Sequence, residues 1–192
     1  MKVLIACEFS GIVREAFKAK GHDAWSCDLL PTEIPGQHIQ GDVLAILNDG
    51  WDMMIAHPPC TYMSNAGARF MHPKGLLNKD RLHKALQGKD FFMKLFDAPI
   101  KKICIENPIP CSVIALPQCN QIIQPYFFGD PFQKKTCLWL KNIPPLMSTA
   151  ICLHPQSTKV CGNWYNKGGK DRQKNRAKTF PGIAAAMAAQ WG

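Results

Sequence analysis

Two short segments carry side chains able to do covalent chemistry. In Pro58-Pro59-Cys60-Thr61 a cysteine follows the apolar run Asp52-Met53-Met54-Ile55-Ala56, which His57-Pro58-Pro59 must terminate. A thiol on such a constrained, part-exposed turn is a strong nucleophile once cationic groups or helix ends stabilise its thiolate. Taken alone, a cysteine there is more often a small structural hydrophobe. In Glu106-Asn107-Pro108 a carboxylate ends a second apolar run, Lys102-Ile103-Cys104-Ile105. A buried Glu at a strand end is able to hold or donate a proton. Cys60 and Glu106 together point to covalent catalysis with acid assistance.

A third segment, Glu8-Phe9-Ser10-Gly11, sits between an apolar run and a helical pattern. Gly11 lets a backbone approach a ligand closely, the helix start offers unpaired N–H groups, and Phe9 offers an aromatic face. Asp28, further on, is placed as the acidic residue that meets ribose hydroxyls in doubly wound sheets. The full GxGxxG pattern is missing. A small nucleoside cofactor without pyrophosphate therefore fits better than a dinucleotide.

These groups need a scaffold, and the periodicity supplies one. Val3 to Ala6 is a short strand, Ile12 to Ala19 a helix with Val13, Ala16 and Phe17 on one face, and Asp23 to Cys27 a second strand. Gly21 stops the helix. Strand, helix and strand within so short a span open a parallel α/β sheet. Strands are expected at 52–56, 102–105 and 136–140. Asn78 caps a helix running to about Phe96, with Leu82, Ala85, Leu86, Met93 and Phe96 inward. A final helix covers Pro181 to Trp191, with Pro in its first turn. Trp139 and Trp191 read as core. No repeat or linker breaks the chain, so residues 1–192 read as one domain, with an irregular, basic segment at about 141–178. Ligand-binding groups gather at the carboxyl ends of parallel strands. Here those ends carry Glu8 to Gly11, Ser26-Cys27-Asp28, His57 to Cys60 and Glu106-Asn107-Pro108.

With 192 residues, 46% of them hydrophobic, the chain has enough apolar surface for a core. No apolar run approaches the roughly 20 residues that span a bilayer, and Met1 to Ala6 passes straight into Glu8, as a strand does and a signal peptide does not. The nine cysteines form no CxxC pair and no even set, which reads as reduced thiols in a cytoplasmic protein. Cys152-x-His154 with Cys161 would give a metal only three ligands at unusual spacing. The formal charge is +9, with Lys167, Lys170, Arg172, Lys174, Arg176 and Lys178 clustered near the end. Such a cluster favours a polyanion or phosphate partner.

The ordered motifs resemble those of cytosine-5 DNA methyltransferases, in the short form found in phages and prophages that lacks a full target-recognition domain. Glu8-Phe9-Ser10-Gly11 resembles the first motif, whose Phe stacks on the cofactor adenine. Asp28 matches the ribose-binding acid. Gly41-Asp42-Val43 resembles the Gly-Asp-Ile motif, whose Asp meets the adenine amino group. Pro59-Cys60, followed by Ser64, resembles the loop of the nucleophile. Glu106-Asn107 resembles the Glu-Asn-Val motif, and Pro181-Gly182-Ile183-Ala184 to Trp191 the closing helix beside the cofactor.

The resemblance implies a Rossmann-like S-adenosylmethionine-dependent methyltransferase fold, a mostly parallel sheet with helices on both faces. It implies Cys60 as nucleophile toward carbon 6, Glu106 at ring N3, and S-adenosylmethionine as methyl donor, with no metal required. Glu8, Phe9, Ser10, Gly11, Asp28, Asp42, Pro59 and Ile183 would hold the cofactor. Pro59, Ser64, Asn107, Arg69 and Arg176 would meet the substrate.

Three departures stand out. Val13 replaces a glycine expected two positions after Gly11. Gln133-Lys134-Lys135-Thr136 is the nearest match to the family's Gln-x-Arg-x-Arg strand, which puts Lys135 in place of a base-contacting Arg. Only a short segment, with Asn163, Trp164, Tyr165, Gly168 and Gly169 among lysines, stands where a recognition domain is normally inserted. The expected substrate is cytosine in DNA. A free cytosine nucleotide, a non-catalytic DNA-binding relative and one subunit of a split enzyme are the alternatives. A homodimer or a partner subunit would supply missing DNA contacts.

Overall fold

The computed structural model describes residues 1–157 and 172–192. Seven strands form one sheet: β1 (Lys2–Ala6), β2 (Asp23–Asp28), β3 (His38–Gln40), β4 (Met53–Ala56), β5 (Lys102–Pro108), β6 (Gln121–Ile123) and β7 (Thr136–Lys141). Their order is β3-β2-β1-β4-β5-β7-β6. Neighbours from β3 through β5 pair in parallel. β7 runs antiparallel to both β5 and β6. This one reversed strand is invisible in the hydrophobic pattern, because a strand buried on both faces reads the same in either direction.

The helices are α1 (Ile12–Lys18), α2 (Lys79–Phe96), α3 (Arg172–Ala177) and α4 (Pro181–Trp191). They cover both faces of the sheet. On one face, Val13 and Phe17 of α1 and Ile183, Met187 and Trp191 of α4 pack on Val3, Ile5, Met53 and Ile55. On the other, Phe92 and Leu95 of α2 pack on Leu4, Met54, Ile103, Ile105 and Trp139. Alternate residues of each strand serve the two cores, as a pleat requires. Trp139 and Trp191 are both buried.

The helix boundaries follow local chemistry. Asn78 accepts a hydrogen bond from the Arg81 N–H and caps α2. Pro181 opens α4, where its missing N–H costs no hydrogen bond. Gly21 turns the chain after α1 at φ 83°. The inward face of α2 differs from expectation. Ala85, Phe92 and Leu95 are buried, whereas Leu86 is 47% exposed. Leu86 lies one position, or about 100° of helix rotation, past Ala85 and faces away. Within the segment expected to be irregular, 172–177 forms α3, and Phe132–Gln133 pairs with Gln156–Ser157. The aromatic-basic stretch around Trp164 and Tyr165, and Cys161 of the considered metal set, lie outside the described residues. Among the described residues no helix is long and apolar enough to cross a membrane.

Candidate active site

The chain leaves β1 toward β2 on one side of the sheet and reaches β4 on the other, so the strand order reverses between β1 and β4. Such a switch point opens a crevice at the carboxyl ends of the strands. Cys7, Glu8, Phe9, Ser10 and His57 line that crevice, with Ala177 and Thr179 across from them.

Glu8 faces the start of α1. Its Oε1 accepts from the Val13 N–H at 2.7 Å and the Ser10 hydroxyl at 3.1 Å, and its Oε2 accepts from the Arg14 N–H at 3.3 Å. The carboxylate thus occupies the helix N-terminus that holds a ligand phosphate in dinucleotide folds. Burial raises the Glu8 carboxyl above its ordinary pKa, against the opposing pull of His57 and these donors. Gly11 stands at φ 78°, and a side chain there would meet Arg14 and Ile34. Arg14 itself is fully buried and donates to Ser26, Thr32 and the Ile34 carbonyl. It ties α1 to the loop following β2.

Asp28 and Asp42 both act on Cys7, whose thiol is raised by burial and then by Asp28, Cys27 and Asp42. Each aspartate uses Oδ1 to accept a local N–H, from Leu30 and Leu44 respectively. No described hydrogen bond uses either Oδ2. Phe9 is buried, and the Lys174 ammonium lies 5.2 Å from its ring centre. Lys174 and Lys178 both pair with Glu33, at 3.0 and 2.7 Å. The segment holding α3 is therefore clasped over the crevice.

Cys60 and Glu106 come from adjacent parallel strands, since β4 pairs with β5 and each residue follows or ends its strand. The loops beyond them are stitched together. The Asn65 N–H donates to the Ile109 carbonyl at 2.8 Å, and the Cys111 N–H to the Met63 carbonyl at 2.7 Å. The Cys60 carbonyl accepts from Met63 and Ser64, which closes a turn on the nucleophile candidate. Burial raises the Cys60 thiol above its ordinary pKa. Lys134 and Arg176 oppose that rise, and Glu106 adds to it. For Glu106, burial also acts to raise the carboxyl. The hydrogen bond from His57 and the charge of Lys134 outweigh it, leaving the carboxyl below its ordinary pKa. The His57 Nδ1 lies 2.8 Å from Glu106 Oε2.

The remaining expected residues fall into three groups. Pro59 is exposed beside Cys60, Ser64 is half-buried in the turn, and Asn107 is buried in β5. Arg69 is exposed on the loop after Cys60, 4.6 Å from the Phe70 ring centre. Arg176 acts electrostatically on Cys60 from α3. Ile183 belongs to the core between α4 and the sheet. Lys135 is exposed, whereas Lys134 is the lysine coupled to Cys60 and Glu106. Two residues thus enter the site in roles the sequence did not assign: His57, which reads either as orienting a substrate phosphate or as capping a strand, is the partner of Glu106, and Lys134 acts on both Cys60 and Glu106. The signal for Lys134 was its alternation with Lys135 before a strand, which turns neighbours to opposite sides.

Beyond Cys60 lies an aromatic and basic ledge. Arg81 lies 5.2 Å from the Tyr62 ring centre and 5.5 Å from that of Phe70, and Lys84 lies 5.4 Å from Tyr62. Tyr62, Phe70, Asn78, Asp80, Arg81 and Lys84 border one open depression.

No protein-family model matches the sequence, and no curated protein matches it. Among solved structures, the chain is similar to an E. coli protein described as a DNA modification methyltransferase encoded within a prophage. The identity is 14% and the TM-score 0.49, covering 82% of this chain and 53% of the other. The chain spans about half the length of that structure.

Proposed function

We propose that this protein methylates cytosine at carbon 5, in DNA, using S-adenosylmethionine. The observation that carries the reading is that Cys60, in the loop after β4, and Glu106, on the adjacent parallel strand β5, act on each other electrostatically, with His57 of the switch-point crevice bonded to Glu106. Either residue alone has many uses. A thiol and a carboxyl within electrostatic reach of each other suit addition to a ring followed by its reversal.

The crevice residues fit a nucleoside cofactor without pyrophosphate. Glu8 already fills the phosphate position at α1, while Asp28 and Asp42 retain Oδ2 for a ribose and an amino group. Phe9 supplies an apolar face. When bound, S-adenosylmethionine supplies an electrophilic methyl group.

The chain's own residues do the rest. The Cys60 sulfur adds to carbon 6 of cytosine, and carbon 5 becomes nucleophilic. Ring N3 takes up a proton from solvent as that charge develops, and the Glu106 carboxylate accepts the N3–H hydrogen bond. Lys134 stabilises the thiolate before attack. After the methyl is in place, water takes the carbon 5 proton, the Cys60 thiolate leaves carbon 6, and loss of the N3 proton to solvent restores the ring. A cytosine within a duplex must first leave the stack.

The ledge of Tyr62, Phe70, Arg69, Arg81 and Lys84 favours a polymer over a free nucleotide. Aromatic faces take neighbouring bases, and the cations take flanking phosphates. A mononucleotide has no neighbouring base for the aromatic faces and a single phosphate for the cations.

The test is methyl transfer from tritium-labelled S-adenosylmethionine to duplex DNA, single-stranded DNA and cytosine mononucleotides, with Cys60→Ser as control. Label on DNA that vanishes in the control is the expected result. Label on the mononucleotide alone would reassign the substrate, and label that persists in Cys60→Ser would remove the covalent mechanism.

A further inference from the structure

We propose that the ledge beyond Cys60 binds single-stranded DNA: unpaired bases flanking the target stack on Tyr62 and Phe70, and their phosphates meet Arg69, Arg81 and Lys84. The proposal deepens the methyltransferase reading and rests on it for the target base.

The aromatic faces are built into the surface. Tyr62 and Phe70 are 36% and 49% exposed, yet each precedes a buried methionine, Met63 and Met71. Those methionines pack with Ala85 of α2, Cys111 and Ile114 in a small core of their own. The loop after Cys60 therefore has an apolar foundation and carries its aromatic residues outward above it. Hydrogen bonds fix both ends. The Cys60 carbonyl accepts from the Met63 and Ser64 N–H groups, and the Asn78 N–H donates to the Met71 carbonyl at 2.8 Å. A ring already held in place loses little freedom when a base stacks on it.

The charge suits a nucleic-acid strand. The Arg81 guanidinium lies against both rings, Lys84 against Tyr62, and Arg69 against Phe70. Asp80, in the first turn of α2, also borders the depression. Three cations against one carboxylate favour phosphates, on a chain of formal charge +9. A guanidinium plane is itself a stacking surface for a base.

The exposed rings select the form of the strand. Inside a duplex, both faces of each base are covered by its neighbours in the stack. A duplex entering this site would release one base, the target, to Cys60 and Glu106. None would remain for Tyr62 and Phe70. Tyr62 stands two positions after Cys60, within the turn that Cys60 begins, so a base stacked there neighbours the target along the strand. Two aromatic faces beside the nucleophile therefore fit a strand that is unpaired on that side of the target.

The experiment is fluorescence anisotropy of the full chain, without cofactor. The probes are a labelled single-stranded oligothymidine and an adenine–thymine duplex of the same length. Neither probe contains cytosine, so binding is read apart from methyl transfer. The wild type should bind the single strand about tenfold more tightly, the scale of one base–aromatic stack. Tyr62→Leu and Phe70→Leu keep apolar bulk and remove the ring. Each should weaken the single strand about tenfold and leave the duplex within about twofold, on the same scale. Duplex binding as tight as single-strand binding, or single-strand binding indifferent to both substitutions, would overturn the proposal. If the variants do not fold, the wild type decides by photocrosslinking to a single strand carrying 5-iododeoxyuridine. Crosslinks on the Tyr62 or Phe70 peptide are expected, and crosslinks confined to other peptides overturn the proposal. Cys60-dependent methylation of duplex DNA by a protein that fails these tests would overturn the proposal and keep the methyltransferase reading. Ledge binding without methyl transfer to any substrate would keep the single-strand site and overturn that reading.

Discussion

Arg81 of α2 donates from Nη2 to the Thr61 carbonyl at 3.0 Å, one residue beyond the candidate nucleophile. The same guanidinium lies over Tyr62 and Phe70 and packs against Gly67, where any side chain would collide with it. The helix after the nucleophile loop thereby sets the loop's shape. Arg81→Ala should lower stability by about 1–2 kcal/mol, from one hydrogen bond and the cation–aromatic contacts. It should also expose residues 61–78 to protease. Arg81→Lys should not restore the loop, because an ammonium lacks the planar fork. Limited proteolysis and thermal melts of the three proteins check this; an unchanged cleavage pattern in Arg81→Ala would refute it.

Cys60 should react slowly with iodoacetamide at neutral pH and faster as pH rises, because burial keeps its thiol above the ordinary value. Glu106→Gln removes a like charge and should speed alkylation at any given pH. Lys134→Ala removes an opposing charge and should slow it. The Cys60 peptide followed by mass spectrometry separates this thiol from the others. Slower alkylation in Glu106→Gln would contradict the electrostatic coupling.

The two adjacent lysines before β7 make a sharper comparison. Lys134→Ala should reduce methyl transfer by about tenfold or more, equivalent to about 1.4 kcal/mol of transition-state stabilisation. Lys135→Ala should stay within about twofold on the same scale. Rates for the two variants on one DNA substrate decide between them, and a larger loss for Lys135→Ala would restore the assignment made from the motif.

That comparison also marks what a sequence can carry. The strand ends bearing Glu8, Asp28, Cys60 and Glu106 were legible, because an apolar run stopped by a Gly or Pro signal locates its own carboxyl end. The helices at 12–18, 79–96 and 181–191 were legible from their periodicity and their caps. Contacts between distant segments were not. Nothing local to His57 announces Glu106, which is 49 positions away. Arg14 reads as a surface residue of a short helix, yet it is fully buried, satisfied by Ser26 of β2 and by Thr32 and Ile34 of the loop that follows it. That Ile183, matched to a cofactor-side motif, also packs in the core between α4 and the sheet is a long-range contact of the same kind. The reversal of β7 depends on a connection whose direction no pattern records.

Glu8 tests whether the first motif is structural as well as functional. Glu8→Ala strips partners from the Val13 and Arg14 N–H groups and should cost about 2–3 kcal/mol, the usual penalty for buried groups left unpaired. The pH dependence has a definite sign. A carboxyl raised in the folded state contributes stability that is fully present below its unfolded pKa, about 4.3. That contribution is lost as pH rises through the folded value. Glu8→Gln should therefore cost more stability near pH 4 than near pH 8. Urea melts at both values measure it, and a cost that grows with pH would reverse the assignment.

Glu33 has the opposite sign and governs the clasp over the crevice. Burial acts to raise its carboxyl, but Lys178 and Lys174 outweigh it and hold the group below its ordinary pKa. Its contribution is thus present above an unfolded value of about 4.3 and is lost as pH falls through the folded value. Both lysines come from the segment that places Ala177 and Thr179 against the crevice and Lys174 over Phe9. Releasing Glu33 should loosen that segment without touching the sheet. Glu33→Gln should speed amide exchange in residues 172–178 at pH 7 and in low salt, by a factor of about two to five, the scale of an exposed ion pair. High salt should reduce the difference, because the pair is screened. Once pH has fallen through the folded value, the wild type should exchange as the variant does, after correction for intrinsic rates. Exchange unchanged by the substitution at pH 7 would mean that α3 is held by its apolar contacts alone.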